Sequence, residues 1–310
     1  MSVRLVFLGT GSGKPVPTRN VSSVALFREG ELFMFDCGEG TQVQIARSNL
    51  RPGALKAIFL THFHGDHVNG LPGLLGTLTL NQRDDVMNLV GPKGLNRWLK
   101  ALRDVNILHT GFKLNVEEID APGVVYKGDG FRIEAMPLNH RIACWGYAMI
   151  EDDRPGRFNV EAARALGVSP GPMFGQLQRG QSVELEDGTI IKPEQVLGQA
   201  RPGLKIAFCW DTVPCDAAIE LARGADVLIH ESTYPGGEER MAHKRKHSTS
   251  ADAARCAKAA GVKQLILTHF SQKHMRLGDF LDKARKIFPN TIAAHDLMEY
   301  ELQRVDERGD

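Results

Sequence analysis

Thr61-His62-Phe63-His64-Gly65-Asp66-His67 follows directly on the apolar run Ala57 to Leu60. A short apolar run closed by a polar turn has the length of a buried strand. Where extended backbone persists beyond the run, side chains two apart point the same way, so His62 and His64 aim at one point. A turn at Gly65 carries Asp66 and His67 to a second point nearby. Four potential metal ligands within six residues at a strand end are hard to explain as packing.

The same unit recurs along the chain. Arg4 to Leu8 precedes Gly9-Thr10-Gly11, and Leu32 to Phe35 precedes Asp36-Cys37-Gly38. His140 follows Phe131 to Leu138, Asp211 follows Lys205 to Trp210, Val227 to Ile229 runs into His230-Glu231, and His269 follows Leu265 to Leu267. Between these runs, Asp216 to Arg223, Ser250 to Ala260 and Asp279 to Phe288 carry apolar residues at helical spacing, the second with a Ser/Thr cap and a closing Gly261. Alternating strands and helices predict a layered α/β fold, in which strand ends converge on a binding crevice. Five histidines and two aspartates are too many for one tetrahedral ion and fit two ions sharing a carboxylate. His62, His64 and His140 are assigned to the first, Asp66, His67 and His269 to the second, with Asp211 as the bridge. Imidazole with carboxylate suits zinc, with manganese or iron as substitutes. Two ions about 3.5–4 Å apart can stabilise both oxygens of an in-line displacement at phosphorus.

Composition limits the rest. The 310 residues carry 38 basic and 37 acidic side chains, a net charge of +1, so any nucleic-acid surface must be a local patch. No apolar stretch approaches the length of a membrane span. Met1 to Leu8 reads as a first strand, since a signal peptide needs a longer apolar core. Cys37, Cys144, Cys209, Cys215 and Cys256 are scattered and never spaced C-x-x-C, the usage of reduced thiols in the cytoplasm. Residues 1–310 read as one domain into which 151–203, rich in Gly, Pro and charge, is inserted as a projecting arm. Its only helical spacing lies near Val160 to Leu166, and Asp306 to Asp310 reads as a frayed tail.

At the His-Asp loop the chain resembles the metallo-β-lactamase superfamily, and within it the bacterial ribonuclease Z family of tRNA 3′-processing endoribonucleases. The likeness runs from about Val3 to Glu299. It includes Phe7 to Ser12 with Pro17 to Asn20, Asp36 to Gln42, Leu138 to His140, Ile229 to Thr233, His247 to Thr249 and Leu267 to His269. It implies an αββα sandwich with a flexible exosite arm, two zinc ions per subunit, and a cytoplasmic homodimer that cleaves precursor tRNA rather than DNA. Asp66 would be the general base and His247 the proton donor to the leaving 3′ oxygen, with His230 and Glu231 orienting ligands. Gly171-Pro172-Met173-Phe174-Gly175-Gln176-Leu177 resembles the family's arm segment, which places Gly171 and Pro172 among the RNA contacts. Lys14, Arg19 and the basic run Lys244-Arg245-Lys246 are the candidates for phosphate. Cys209-Trp210 stand where the family usually has Ser-Gly, and Gln272-Lys273-His274 where it usually has Arg-Tyr, removing a guanidinium. A general phosphodiesterase or arylsulfatase-like hydrolase, and a non-catalytic RNA-binding relative, are the alternative readings.

Overall fold

Strands buried on both faces need apolar side chains in succession, and the third strand shows how the two faces divide. A computed structural model of the chain describes residues 3–302, so the expected tail Asp306 to Asp310 lies outside the described residues. Strands β1 (Val3–Gly9), β2 (Ser23–Arg28), β3 (Glu31–Phe35), β4 (Leu55–Phe59), β5 (Met87–Pro92) and β6 (Leu114–Ile119) form a sheet in that order. β1 to β3 pair antiparallel and β3 to β6 parallel. In β3, Leu32 and Met34 face one way, joining a core with Ile45 of α1 (Thr41–Arg47), Leu74, Leu75 and Leu78 of α3 (Leu71–Leu80; the short α2, Gly65–Val68, precedes it) and Leu99 of α4 (Leu95–Asp104). Phe33 and Phe35 face the other way.

That other face meets a second seven-stranded sheet, ordered β15-β14-β13-β12-β9-β8-β7. Its strands are β7 (Gly123–Gly128), β8 (Phe131–Leu138), β9 (Cys144–Glu151), β12 (Lys205–Cys209), β13 (Val227–Glu231), β14 (Gln264–Thr268) and β15 (Thr291–Ala293), the last four pairing parallel. A final strand, β16 (Glu299–Leu302), returns to β1. Phe35 stacks on Phe208 with centroids 3.7 Å apart, and Phe35 and Phe59 both lie against Tyr147. Each buried ring contributes about 2–3 kcal/mol through water exclusion. The Tyr147 hydroxyl donates to the Leu60 carbonyl at 2.6 Å and Trp145 N–H to the Thr61 carbonyl at 3.0 Å, so β9 fixes the end of β4 where the His-Asp loop starts.

Helices α7 (Asp216–Ala222), α8 (Glu239–Lys244), α9 (Ser250–Ala260) and α10 (Leu277–Arg285) accompany the second sheet. The α9 expectation holds at both ends: Thr249 and Asp252 form a capping box, and Gly261 stops the helix at φ 66°. With helices on the first sheet's outer face and α7, α9 and α10 against β12 to β15, the layers are those of an αββα sandwich.

Residues 128–132 and 150–204 form a second compact unit. It contains α5 (Val160–Ala165), α6 (Pro172–Gln178) and the pair β10 (Val183–Glu184) and β11 (Ile190–Ile191), around a small core of Ala163, Val168, Leu177, Val183, Ile191 and Val196. Arg154 and Arg201 exchange backbone hydrogen bonds of 2.8 Å, closing its base. The sequence reading is corrected here, because a second helix follows the first. Pro172 at the first helical position is already set for the turn, and Met173, Phe174 and Leu177 bring an apolar face onto this core.

Candidate metal centre

Leu60 N–H still bonds to the Val90 carbonyl at 2.8 Å, so the chain leaves β4 extended through His62 and His64. His64, at φ −67° and ψ 145°, caps α2, whose first turn swings Asp66 and His67 around. The backbone packs closely beneath. A Cβ on Gly70 would lie 2.0 Å from the Gly38 carbonyl oxygen, and one on Gly38 2.4 Å from the Asp66 carbonyl oxygen, so only glycines fit. Cys37 N–H to the His67 carbonyl, 2.8 Å, locks this contact.

Two donor sets without a shared residue result, and Asp211, His247 and His269 form a third group that overlaps them. His62, His64, His140 and Asp211 bring ligand atoms within 4.8 Å of one another, as do Asp66, His67 and His269. His62 Nε2 and His140 Nε2 stand 2.9 and 3.2 Å from His64 Nδ1, and His67 Nε2 stands 3.2 Å from His269 Nε2. Asp211 reaches both sets, with Oδ2 3.5 Å from His62 Nε2 and Oδ1 3.2 Å from His269 Nε2. Buried Asp211 Oδ1 accepts no hydrogen bond among the described residues.

The outer nitrogens decide which atoms face inward. His140 Nδ1 lies 2.8 Å from the Lys246 carbonyl, which can only accept, so Nδ1 carries the proton and Nε2 a lone pair. His67 Nδ1 donates to Asp36 Oδ2 at 2.6 Å. Thr233 Oγ1 donates to Glu231 Oε2 at 2.6 Å and therefore accepts from His269 Nδ1 at 2.9 Å. Thr61 Oγ1 likewise donates to Asp36 at 2.9 Å and accepts from His62 Nδ1. In the neutral Nδ1–H tautomers the inward nitrogens of His67 and His269 are two lone pairs facing each other at 3.2 Å, an arrangement that needs a cation, either a proton or a metal ion, between them. Orphaned Asp211 Oδ1 points to the same conclusion. These donor sets fit divalent metal ions.

Protonation supports this assignment. Burial pushes His62, His64 and His140 below the usual imidazole value, leaving them neutral as ligands must be. Burial would also lower His67, but Asp211, Asp36 and Asp66 outweigh it and raise it to about 10 in the metal-free chain. A metal therefore replaces a proton there. Burial would raise Asp66, but His67, His269 and the Gly13 N–H hold it well below the carboxylate range. Strain concentrates at the same place, since Asp36, Lys246 and His269 are three of the seven non-glycine residues with positive φ among the described residues.

His247 stands beside the donor sets, with Nδ1 3.0 Å from Glu231 Oε1 and 3.8 Å from Asp211 Oδ2. Burial would lower its pKa, but Glu231 and then Asp211 raise it to about 9. Glu231 also accepts from Thr212 N–H and Thr233 N–H, so it orients His247 directly and His269 through Thr233. A cavity of about 490 Å³ opens over these groups, lined also by Lys14, Arg245 and Lys273.

Not every expected residue arrives here. Arg19 is 8% exposed, and its guanidinium donates to the His274 and Met275 carbonyls, so it braces a loop instead of meeting phosphate. His230 is buried and bonds through Nδ1 to the Glu231 carbonyl. Among the described residues it makes no hydrogen bond or ion pair to a donor, so its expected orienting role is withdrawn. Lys244 is exposed, whereas Lys246 acts through its carbonyl on His140. Gly171 and Pro172 are exposed at the start of α6 in the second unit. The sequence reading missed Asp36, Thr61 and Thr233 as orienting groups. Asp36 had a visible signal, a carboxylate at the end of an apolar run before Cys37-Gly38.

Comparison with known proteins extends this picture. A family model described as anti-Pycsar protein Apyc1 matches residues 3–141. Ribonuclease Z of Nostoc sp. is 45% identical over 312 residues, covering 98% of this chain and 97% of that protein. Ribonuclease Z of Nostoc punctiforme is 46% identical, covering 98% of each. Among solved structures, the short form of human tRNase Z superposes with a TM-score of 0.70 at 29% identity, covering 96% of this chain and 98% of that one. A metallo-β-lactamase-fold protein of Bacillus subtilis gives a TM-score of 0.70 at 17% identity over 97% and 98% of the two chains, a likeness of fold alone.

Proposed function

The chain belongs to the ribonuclease Z family, and from that premise we propose that it removes the 3′ trailer of tRNA precursors by hydrolysing one phosphodiester bond. The observation that carries this reading is the pair of donor sets joined by Asp211 beside a histidine held by a buried glutamate. Zinc at both positions, with manganese or iron as substitutes, is what five imidazoles and two carboxylates favour. Bound there, divalent ions supply Lewis-acid stabilisation of the charge that develops around phosphorus.

The chain's own residues do the rest. Asp66, with Oδ2 held at 2.6 Å by the Gly13 N–H, accepts the proton of the attacking water. The water oxygen joins phosphorus as the bond to the 3′ oxygen breaks, and the phosphate stays with the trailer. His247, its Nδ1 committed to Glu231, donates a proton from Nε2 to the leaving 3′ oxygen. Lys14, Arg245 and Lys273 around the cavity supply positive charge for the phosphate backbone. Residues 151–203 serve as the arm that grips the tRNA body, supported by the likeness of Gly171 to Leu177 to the family's arm segment, and a homodimer follows from the same likeness. Five free cysteines suit a cytoplasmic enzyme. No described helix is long and apolar enough to cross a membrane.

The test is cleavage of an end-labelled precursor tRNA carrying a 3′ trailer, with and without a chelator, mapped to single nucleotides. A chelator-sensitive cut after the discriminator base is expected. No cut, from protein that binds metal and hydrolyses a nitrophenyl phosphodiester, would overturn the tRNA assignment and leave a general phosphodiesterase.

A further inference from the structure

Gln272 lies three residues beyond His269, in the loop after β14, and its side chain reaches back to the first loop. Its Nε2 donates to the Ser12 carbonyl at 2.9 Å and also to the Lys14 carbonyl. These are the two carbonyls that flank Gly13. Lys14 N–H bonds back to the Ser12 carbonyl at 3.0 Å around Gly13 at φ 79°, a tight turn of the kind that needs glycine. Gly13 N–H then donates to Asp66 Oδ2, which stands 3.5 Å from His269 Nε2 and 3.6 Å from His67 Nε2.

A planar trans peptide points its C=O and N–H in opposite directions. The Ser12 carbonyl and the Gly13 N–H belong to one such plane, with Gln272 holding one side and Asp66 the other. We infer that Gln272 is a positioning residue: by clamping both carbonyls around Gly13 it aims the Gly13 N–H at Asp66 and so fixes that carboxylate at the second donor set. The loop's other ties run through Asp296 on Thr10 and Asn20, through backbone bonds of Gly11 with Asn20 and of Val16 with Arg19, and through Phe270 on Thr10 and on the Ser12 N–H. Apart from the Lys14 N–H of the turn itself, none of them acts on the Ser12 or Lys14 carbonyl. At the exposed tip, Gln272 provides the only side-chain hydrogen bonds to the two carbonyls among the described residues. The inference rests on the reading of Asp66, His67 and His269 as a metal site.

Zinc titration of the chelator-stripped full chain against a chromophoric chelator tests it. The wild type takes up two equivalents. Gln272→Met keeps the length of the side chain and removes its donors, so one equivalent binds about 10–100-fold more weakly while the other is unchanged. Gln272→Lys, whose ammonium can donate to both carbonyls, restores the weakened equivalent. Gln272→Glu, which sets a carboxylate against two carbonyl oxygens, weakens the same equivalent and carries the test if the Met variant does not fold. Two equivalents bound at wild-type affinity by Gln272→Met, or both weakened alike, would overturn the inference. A wild type that takes up only one zinc would instead refute the two-site reading on which it stands.

Discussion

Replacing Glu231 by Gln removes one negative charge from a buried position while keeping the shape of the side chain. Glu231 is the largest influence raising His247, which stands at about 9 against an ordinary value of 6.5. Withdrawing that charge should lower the His247 midpoint by about 1–2 pH units, with Asp211 sustaining the remainder. A proton donor works only while protonated, so above its midpoint the rate falls tenfold per pH unit. Wild type and variant should therefore agree only at pH values below both midpoints. Above both midpoints the variant should be about 10–100-fold slower. Bound divalent cations lower both midpoints, so the displacement between the two proteins is the quantity to compare. The assay is kcat/KM for precursor tRNA across the neutral and alkaline range, with metal content and Tm recorded alongside. The Gln amide cannot accept from Thr212, Thr233 and His247 all at once, which costs about 1–3 kcal/mol of stability and should appear as a lower Tm. A loss of equal size at every pH, with the alkaline limb unmoved, would refute the role of Glu231 in holding the His247 proton.

The other expectations concern the metals and the RNA. Asp211→Ala removes the carboxylate that reaches both donor sets, so bound metal should fall and turnover drop to background; a variant with full metal content and full activity would refute the bridge. Asp36→Asn keeps one acceptor oxygen and cannot hold Thr61 N–H, Thr61 Oγ1 and His67 Nδ1 together, so it should weaken metal binding by about 10–100-fold, measured by chelator competition. Deleting about Pro155 to Gly198 should weaken precursor binding and spare a nitrophenyl phosphodiester, whereas equal losses on both substrates would count against an RNA-gripping arm. Lys14→Ala should weaken binding and flatten the dependence of log affinity on log salt by about one unit, an effect absent if Lys14 meets no phosphate.

The histidines combine two kinds of control. His62, His64, His140 and His269 follow strand ends and His67 sits in α2, while the protons of His67, His140 and His269 are set by partners on distant segments. His67 and His62 share Asp36 through direct and Thr61-mediated contacts, and His269 and His247 share Glu231 in the same way. Two buried carboxylates, neither in the donor sets, therefore hold the Nδ1–H of four imidazoles, directly or through a threonine. Changing either one perturbs more than one ligand or donor, so double variants within a group should be non-additive.

Local pattern was enough for a large part of this protein. Apolar runs at Leu32 to Phe35, Ala57 to Leu60 and Lys205 to Cys209 declare buried strands, because period-two side chains must be apolar when both faces are covered. The Thr249 to Asp252 box and Gly261 declare α9, and His62 to His67 declares a strand-end cluster of ligands. Those signals lie within a few residues of one another. The orienting contacts do not: Asp36 is 31 residues from His67, Lys246 is 106 from His140, and Thr233 is 36 from His269. Nor does a sequence state whether a charge is already used. Arg19 looked available for phosphate until the fold placed two carbonyls on its guanidinium, and the Gly-Pro segment looked irregular until Leu177 found a core to bury against. Residue types and strand ends determine which donors the chain owns. Which nitrogen faces inward, and which charge stays free for substrate, was decided only where distant segments met and satisfied each other's buried polar groups.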